Sequence, residues 1–167
     1  NHVYLVGLTR NELGGSHFAL VGKLTGGQVP KVDAQAAKAT FAALHGAIAA
    51  GLVRACHDLS EGGLAVAAAE MAFAGGLGLE IDLDRVPCDD PAPADAVRLF
   101  SESNTRLLCE VSPERATEFE AAMTGVTVAR VGQATDSGRL VVRSKSGTVI
   151  DAAIDQLKEA WQKPLRW

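Results

Sequence analysis

One short segment combines a carboxylate, a hydroxyl and two adjacent glycines in an arrangement that suits a phosphate group. Residues 57–63, His-Asp-Leu-Ser-Glu-Gly-Gly, lie between two apolar stretches. We expect Gly62 and Gly63 in the first helical turn, where a bare backbone exposes N–H groups to an anion and the helix dipole favours negative charge. Ser60 would donate its hydroxyl to a phosphate oxygen, and Asp58 would hold the accompanying magnesium ion.

The same spacing has a purely structural interpretation, because short glycine-bearing turns are common. Ser60 would then cap the helix, and the two glycines would allow close packing against a strand. His57, which titrates near neutrality, is either an acid–base group or a histidine at a strand end that bonds to backbone. Glu70, alone in an apolar helical stretch, is predicted to be a surface residue on a narrow face rather than the buried partner of an arginine.

Two further polar segments are candidates for ligand contact. Residues 12–16, Glu-Leu-Gly-Gly-Ser, form either a small anion nest of backbone N–H groups or a plain turn between a strand and a helix. Residues 101–104, Ser-Glu-Ser-Asn, either bind a polar ligand or connect a helix to a strand. No Ser-His-Asp order, zinc-type Cys/His cluster or P-loop is visible, so the residues alone predict an anion-binding domain.

The composition and net charge limit the classes of protein to which this chain can belong. The 167 residues carry 16 Lys and Arg against 20 Asp and Glu, a net charge of −4, and they show no basic run, which argues against a nucleic-acid partner. No apolar segment is long enough to span a bilayer. Three widely spaced cysteines indicate a reducing, cytoplasmic compartment. We expect a single domain over residues 1–167, cut from a longer protein, because Asn1 leads almost directly into a strand.

Strands and helices must alternate to position these segments. Predicted strands cover 3–8, 53–56, 77–83 and 106–111, and predicted helices cover 34–50, 64–74, 114–123 and 151–161. Asp33 should cap the first helix, whose buried stripe would be Phe41, Leu44, Ile48 and Leu52. A hairpin of 126–134 and 139–143 is predicted around the turn 136–138, and Trp161 should pack on the core. The pattern indicates an α/β fold with a mixed sheet.

Three of these strings together resemble one enzyme family. They are 57–67 continued by Glu-Met-Ala-Phe-Ala-Gly-Gly at 70–76, the Glu-Leu-Gly-Gly-Ser of 12–16, and the Phe-Ser-Glu-Ser-Asn-x-Arg of 100–106. In this order and spacing they resemble the phosphoribosylformylglycinamidine synthase catalytic subunit, and the likeness runs from Tyr4 to Trp161. Because no glutaminase sequence follows, the chain resembles the small type.

The resemblance implies a fold and a reaction. The family's subunit holds two copies of an N-domain/C-domain unit, and this chain resembles the last C-domain. The implied fold is a three-layer α/β/α sandwich, partly ferredoxin-like, shared with aminoimidazole ribonucleotide synthetase. In the implied reaction ATP activates the amide oxygen of formylglycinamide ribonucleotide, and ammonia then displaces phosphate to give the amidine. A separate glutaminase subunit releases that ammonia from glutamine, and a small bridging subunit joins the complex.

The resemblance also implies roles for particular residues. Asp58 would bind magnesium, and Ser60 would bind ATP phosphate with Gly62 and Gly63 at an auxiliary second nucleotide site. Ser101, Glu102 and Ser103 are the counterparts of a string that contacts substrate in the first copy, which makes them candidate substrate-binding residues. The family's catalytic histidine lies in the preceding N-domains, so we expect no catalytic residue in this chain and no activity from it alone.

Two alternative functions fit the same residues. The chain would be a structural and interaction module whose Asp58 and Ser60 hold a nucleotide that never turns over. Otherwise it would be the C-domain of another enzyme of the superfamily, such as selenophosphate synthetase or a hydrogenase-maturation protein. Those enzymes lack the strings found here at 12–16 and 101–106.

Overall fold

Seven strands form one mixed sheet in the computed structural model, which describes residues 1–91 and 93–166. The strands are β1 His2–Val6, β2 Ala55–Asp58, β3 Gly78–Asp82, β4 Leu107–Val111, β5 Val128–Thr135, β6 Arg139–Ser144 and β7 Gly147–Ala153. Their order is β2-β4-β1-β5-β3-β6-β7, and every neighbouring pair is antiparallel except the parallel pair β3 and β6.

Helices cover both faces of the sheet. Over the described residues they are α1 His17–Gly22, α2 Ala34–Ala49, α3 Gly63–Gly75, α4 Asp95–Phe100, α5 Ala116–Ala122 and α6 Ile154–Gln162. Short 3-10 turns precede α5 and follow β3 and α6. The predicted three-layer α/β/α class with a mixed sheet is confirmed. No helix in the described ranges is both long and apolar enough to cross a membrane.

Alternation along β1 divides the interior into two cores. Val3 and Leu5 face one core, which α3 fills with Leu64 and its small neighbours. Tyr4 and Val6 face the other core, beneath α2 and α5. Since successive strand side chains point to opposite faces, a fully buried strand supplies both cores at once. The site segments described below lie at the ends of the strands in this central sheet.

The buried stripe of α2 differs from the predicted one. Asp33 caps the helix as expected, because its carboxylate accepts from the N–H groups at 35 and 36. Leu44 and Leu52 are buried, whereas Phe41 and Ile48 are half exposed. The remaining buried positions within α2 are Ala37, Thr40 and Ala47. The buried face of α2 therefore consists of small residues and Leu44, and Phe41 and Ile48 lie outside it.

The predicted hairpin of 126–134 with 139–143 is wrong. β3 lies between β5 and β6, and the turn 136–138 crosses over the start of β3. Gly78 permits this crossing, since a Cβ there would lie 2.7 Å from the carbonyl oxygen of Arg139. The hairpin that does form joins β6 to β7.

The closing helix is shorter than predicted, because β7 occupies residues up to 153. The helix α6 begins at Ile154. Its residue Trp161 is half exposed and packs on the outside of the core through Phe73, which itself packs against the core cluster around Leu64. The Trp161 ring rests on Phe73 of α3 with ring centroids 5.7 Å apart. The predicted strand at 53–56 begins two residues later, at Ala55, and ends at Asp58.

Candidate functional site

The 57–63 turn connects edge strand β2 to helix α3 and presents two side chains to solvent. Asp58 is the last residue of β2, and its carboxylate side chain is 70% exposed. Ser60, two residues later, is also exposed. Both side chains are therefore accessible to a ligand from outside the domain, as the sequence analysis required of them.

Ser60 does not cap α3, contrary to the structural interpretation of the turn. The N-cap is Gly62, which has a left-handed φ of 79° and no side-chain capping bond. The carbonyl of Ser60 accepts a hydrogen bond from Gly63 N–H at 3.1 Å, which closes the turn. The Ser60 hydroxyl is thus not needed to start the helix.

Close packing explains why Gly63 is a glycine. Its φ is 62°, and a Cβ would lie 2.8 Å from the carbonyl oxygen of Leu99 and 3.0 Å from the carbonyl carbon of Phe100. These are backbone atoms at the end of α4, which cannot swing aside as a flexible side chain can. The glycine therefore serves the close approach of two helices rather than that of a helix and a strand.

A carboxylate of the chain itself occupies the start of α3. Glu102 Oε1 accepts from Gly62 N–H at 2.8 Å and from His17 N–H at 2.9 Å, and the side chain is only 15% exposed. The favourable field at a helix N-terminus stabilises such a negative charge. Glu102 thereby joins the 57–63 turn to the start of α1.

The two serines flanking Glu102 are completely buried. Ser101 Oγ donates to the carbonyl of Arg10 at 2.6 Å and lies 3.1 Å from Ser103 Oγ. Ser103 Oγ accepts from Arg10 N–H at 3.0 Å, and Ser101 Oγ accepts from Glu12 N–H at 3.3 Å. The hydroxyls therefore fix the segment around residues 10–12 onto the segment 101–103.

Arg106 also links the segment after β1 to the segment before β4, because its guanidinium donates hydrogen bonds to both. It is 2% exposed and donates to the carbonyl of Ser103 at 3.1 Å, to Thr9 Oγ1 at 3.0 Å and to the carbonyl of Ser101. Burial lowers the pKa of Arg106 to about 10, so the guanidinium stays protonated at neutral pH. In the sequence, Arg106 stands out only as the last residue of the 100–106 string. Its burial could not be foreseen, since arginine is rarely fully buried.

Glu12 completes this arrangement as a second buried ionisable side chain. It is 1% exposed, its Oε1 accepts from Lys31 N–H at 3.0 Å, and its Oε2 has no hydrogen-bond partner among the described residues. Within 12–16 the N–H of Gly14 donates to the carbonyl of Gln28, and Ser16 caps α1. That segment is thus a turn, not an open anion nest.

We call the set of Thr9, Glu12, Ser101, Ser103 and Arg106 the buried polar network. Its members come from the segment after β1 and the segment before β4, which are adjacent because β1 and β4 pair. Each member is buried, and each has at least one hydrogen bond to another part of the network or to nearby backbone.

His57 and Glu70 have different partners from those predicted. His57 Nε2 lies 2.8 Å from Glu70 Oε2, and Trp161 Nε1 donates to Glu70 Oε1 at 2.9 Å. His57 Nδ1 lies 3.4 Å from Asp58 Oδ1. Glu70 is therefore neither an isolated surface residue nor the partner of an arginine. His57, Glu70 and Trp161 border an otherwise mainly apolar cavity of about 580 Å³ beside β2 and α3.

The side chains that could bind a metal ion here suit a site that is shared with a phosphate ligand better than a site formed by this chain alone. Among the described residues, no group of three or more His, Cys, Asp or Glu side chains could hold a metal ion. Asp58 would supply one hard oxygen ligand. Magnesium fits such a position, because it keeps several waters and is commonly held by one or two carboxylates together with substrate phosphates.

Comparison with known proteins shows a consistent likeness. The family described as "AIR synthase related protein, C-terminal domain" matches residues 1–145. "Phosphoribosylformylglycinamidine synthase subunit PurL" of Moorella thermoacetica is 38% identical over 165 residues, covering 96% of this chain and 21% of that protein. The Thermobifida fusca protein of the same name is 41% identical over 167 residues, covering 98% of this chain and 20% of that protein. The chain thus spans about a fifth of the length of these relatives.

Solved structures agree on the fold. "T. maritima PurL complexed with FGAR" has a TM-score of 0.81 at 26% identity, covering 93% of this chain and 27% of that chain. "Structure of PurLQS from Thermotoga maritima" has a TM-score of 0.77 at 25% identity, covering 93% and 25%. A "Crystal Structure of Hydrogenase Maturation Protein HypE" has a TM-score of 0.61 at 18% identity, covering 87% and 50%, and shows the fold alone. With the family match over most of its length, the chain belongs to the AIR synthase related C-terminal domain family.

Proposed function

We propose that this chain is a domain of a phosphoribosylformylglycinamidine synthase subunit, an ATP-dependent ligase of purine biosynthesis, and that it is inactive alone. The observation that carries the proposal is the 38–41% identity to such subunits over nearly the whole chain. In the reaction, ATP activates the amide oxygen of formylglycinamide ribonucleotide, and ammonia from glutamine then displaces phosphate.

In this proposal the 57–63 turn contributes to a magnesium–nucleotide site. Asp58 supplies a carboxylate oxygen to magnesium, and Ser60 donates its hydroxyl to a phosphate oxygen. The exposure of both side chains supports these roles. The N–H groups of Gly62 and Gly63, predicted to bind phosphate, already donate to Glu102 Oε1 and to the carbonyl of Ser60, so in this proposal the two glycines shape the turn. Glu102, which already accepts from Gly62 N–H, holds the turn in place.

Substrate contact was predicted for Ser101, Glu102 and Ser103. Both serine hydroxyls are bonded to the segment around Arg10, and Glu102 faces two backbone N–H groups. We propose that in this chain the three residues position the two segments and the turn. A direct contact with the ribonucleotide would require these hydrogen bonds to break and new ones to the ribonucleotide to form.

The rest of the same subunit is the proposed main partner. Exposed large apolar side chains are frequent in α1, the segment after it and α2, and they are Leu20, Val21, Leu24, Val29, Val32, Phe41 and Ile48. Large patches of exposed apolar surface mark interaction sites, and we propose that these side chains contribute to one. We further propose a glutaminase subunit and a small bridging subunit as partners, and a cytoplasmic location consistent with three free cysteines.

A chimeric enzyme tests the proposed activity. The chain replaces the matching fifth of the Thermobifida fusca subunit, and amidine formation from ATP, ammonia and formylglycinamide ribonucleotide is measured. We expect turnover by the folded chimera and none by the 167-residue chain alone. A folded chimera without turnover would contradict the assignment, and turnover by the chain alone would contradict its inactivity.

Calorimetric titration of the chimera with magnesium–ATP tests the site. We expect Asp58→Ala and Ser60→Ala to weaken binding at one site, and the control Asp155→Ala, an exposed carboxylate on α6, to leave it unchanged. Equal binding by all three variants would exclude the turn from a nucleotide site.

The second candidate is a structural module with a nucleotide that does not turn over, and it is favoured by the hydrogen bonds that hold Ser101, Glu102 and Ser103 to neighbouring segments of the domain. The Asp58→Ala variant of the chimera distinguishes the two candidate functions. If Asp58→Ala lowers thermal stability but preserves turnover, the module is supported. A selective fall in turnover with normal stability supports the ligase role of the turn.

A further inference from the structure

Two of the three cysteines face each other across neighbouring strands. In the antiparallel pair of β2 and β4, Cys56 is directly opposite Cys109. Their sulfur atoms lie 3.7 Å apart, and the Cys109 thiol donates a hydrogen bond to Cys56 Sγ. A disulfide bond needs the sulfurs at about 2.0 Å, a change that rotation of the two side chains can supply.

The strand register also suits a cross-link. Leu59 N–H donates to the carbonyl of Arg106, its opposite residue, which makes that pair a hydrogen-bonded one. Such pairs alternate with non-hydrogen-bonded pairs along an antiparallel ladder, so Cys56 and Cys109 form a non-hydrogen-bonded pair. Cα atoms in that kind of pair lie about 4.5 Å apart, within the range that disulfides bridge.

The two thiols differ in access to solvent. Cys56 lies on the edge strand and is exposed, whereas Cys109 is completely buried in the core beneath α2. A reagent in solution can therefore reach Cys56 and not Cys109. Cys88, the third cysteine, is half buried and packs against the other core, on the opposite face of the sheet.

We propose that Cys56 and Cys109 form a dithiol modification site that reacts with low-molecular-weight disulfides and closes to an intrachain disulfide between β2 and β4. The Cys56 thiolate attacks one sulfur of the small disulfide and releases one small thiol. Cys109 then gives up its proton and attacks the Cys56 sulfur, which releases the second small thiol. The protein dithiol is oxidised, and the small disulfide is reduced to two thiols.

The cross-link would act on the strand that leads into the 57–63 turn. Cys56 lies two residues before Asp58, and β2 has only β4 as a neighbour in the sheet. A bond to β4 would fix the end of this edge strand. The inference rests on strand register and exposure, so it does not depend on the proposed ligase function.

Peptide mapping of the native chain tests the proposal. The folded 167-residue chain is incubated with oxidised glutathione, and its intact mass and non-reducing peptide map are determined. We expect the loss of two hydrogens, a cross-linked peptide pair containing Cys56 and Cys109, and a free Cys88. A lasting glutathione adduct on Cys56 without the cross-linked pair, or a cross-link through Cys88, would overturn it.

Variants test which of the two thiols, Cys56 or Cys109, reacts first. Cys109→Ala should retain glutathione on Cys56, because no second thiol is present to displace it. Cys56→Ser should leave Cys109 reduced, and the control Cys88→Ser should form the cross-link as the unaltered chain does. Oxidation of Cys109 in folded Cys56→Ser would contradict the order. The map of the unaltered chain decides the proposal even if Cys109→Ala fails to fold.

Discussion

The buried polar network and the 57–63 turn contain similar side chains, yet they use them differently. In the network, hydroxyls, a carboxylate and a guanidinium are withdrawn from solvent and bonded to one another or to backbone. In the turn, the carboxylate of Asp58 and the hydroxyl of Ser60 face solvent. Residue type alone therefore does not distinguish a ligand-binding group from one that holds segments of the chain together.

Glu102 connects the two regions. It follows a network serine in sequence, and its carboxylate accepts from Gly62 N–H in the turn and from His17 N–H. The network thus connects to the turn through hydrogen bonds, and the side chains of Asp58 and Ser60 in the turn remain exposed. If this division holds, substitutions in the network reduce stability, and substitutions in the turn reduce binding with little effect on stability.

Removal of the Arg106 side chain should have the largest effect. Arg106→Ala deletes three donated hydrogen bonds, leaves buried carbonyls without partners and opens a cavity. We expect the free energy of unfolding to fall by about 3–5 kcal/mol, the range for breaking a buried charged arrangement. Urea unfolding followed by circular dichroism measures it. Arg143→Ala, at a half-exposed arginine, is the control and should change stability by less than about 0.5 kcal/mol. Equal losses of unfolding free energy in Arg106→Ala and Arg143→Ala would show that the buried polar network contributes no more to stability than a surface arginine does.

Gly63→Ala should have the next largest effect. The new Cβ would meet backbone atoms at the end of α4, at a positive φ that alanine disfavours. We expect a loss of about 2–4 kcal/mol, from overpacking together with backbone strain. Gly46→Ala, inside α2 with no atom within 4 Å of the added Cβ, should instead stabilise by about 0.5–1 kcal/mol. The urea concentration at the unfolding midpoint should therefore fall for Gly63→Ala and rise for Gly46→Ala. An unchanged midpoint for Gly63→Ala would show that the turn does not pack tightly against α4.

Glu102→Ala tests the link between the regions. It leaves Gly62 N–H and His17 N–H without their acceptor, and we expect a loss of about 1–3 kcal/mol. Amide hydrogen exchange should show faster exchange at Gly62, which locates the change in the turn. Glu61→Ala, at the neighbouring exposed carboxylate, is the matched control and should leave both measurements unchanged. Unchanged exchange at Gly62 in Glu102→Ala would mean that the turn is ordered without the network.

Local patterns predicted most of the helices, the inner strands and the edge strand β2, but not the other edge strand, β7. β7 was missed because it is an edge strand with most side chains exposed, so its sequence lacks an apolar alternation. The hairpin of β5 with β6 was predicted because strands adjacent in sequence are usually neighbours in space. The insertion of β3 between them depends on contacts over more than 50 residues, which no local pattern contains.

The candidate site was predictable to a similar degree. Asp58 and Ser60 were selected from their types and spacing, and the structure places both side chains at the surface, while their ligand-binding role stays a prediction. The role of Glu102 depends on a bond to a residue 40 positions away, and that of Arg106 on a bond to one 97 positions away. Burial decides whether such polar residues bind a ligand or each other, and burial follows from the whole fold.

The smallest effect on stability should come from the turn itself. Asp58→Ala and Ser60→Ala alter exposed side chains, neither of which caps α3. Surface substitutions away from caps and buried groups usually lie within about 0.5 kcal/mol, and we expect that here by urea unfolding. The same two variants are expected to weaken magnesium–ATP binding in the chimera. A loss of stability as large as that of Glu102→Ala would show that these side chains serve the fold, and the distinction between a free turn and a bonded network would then fail.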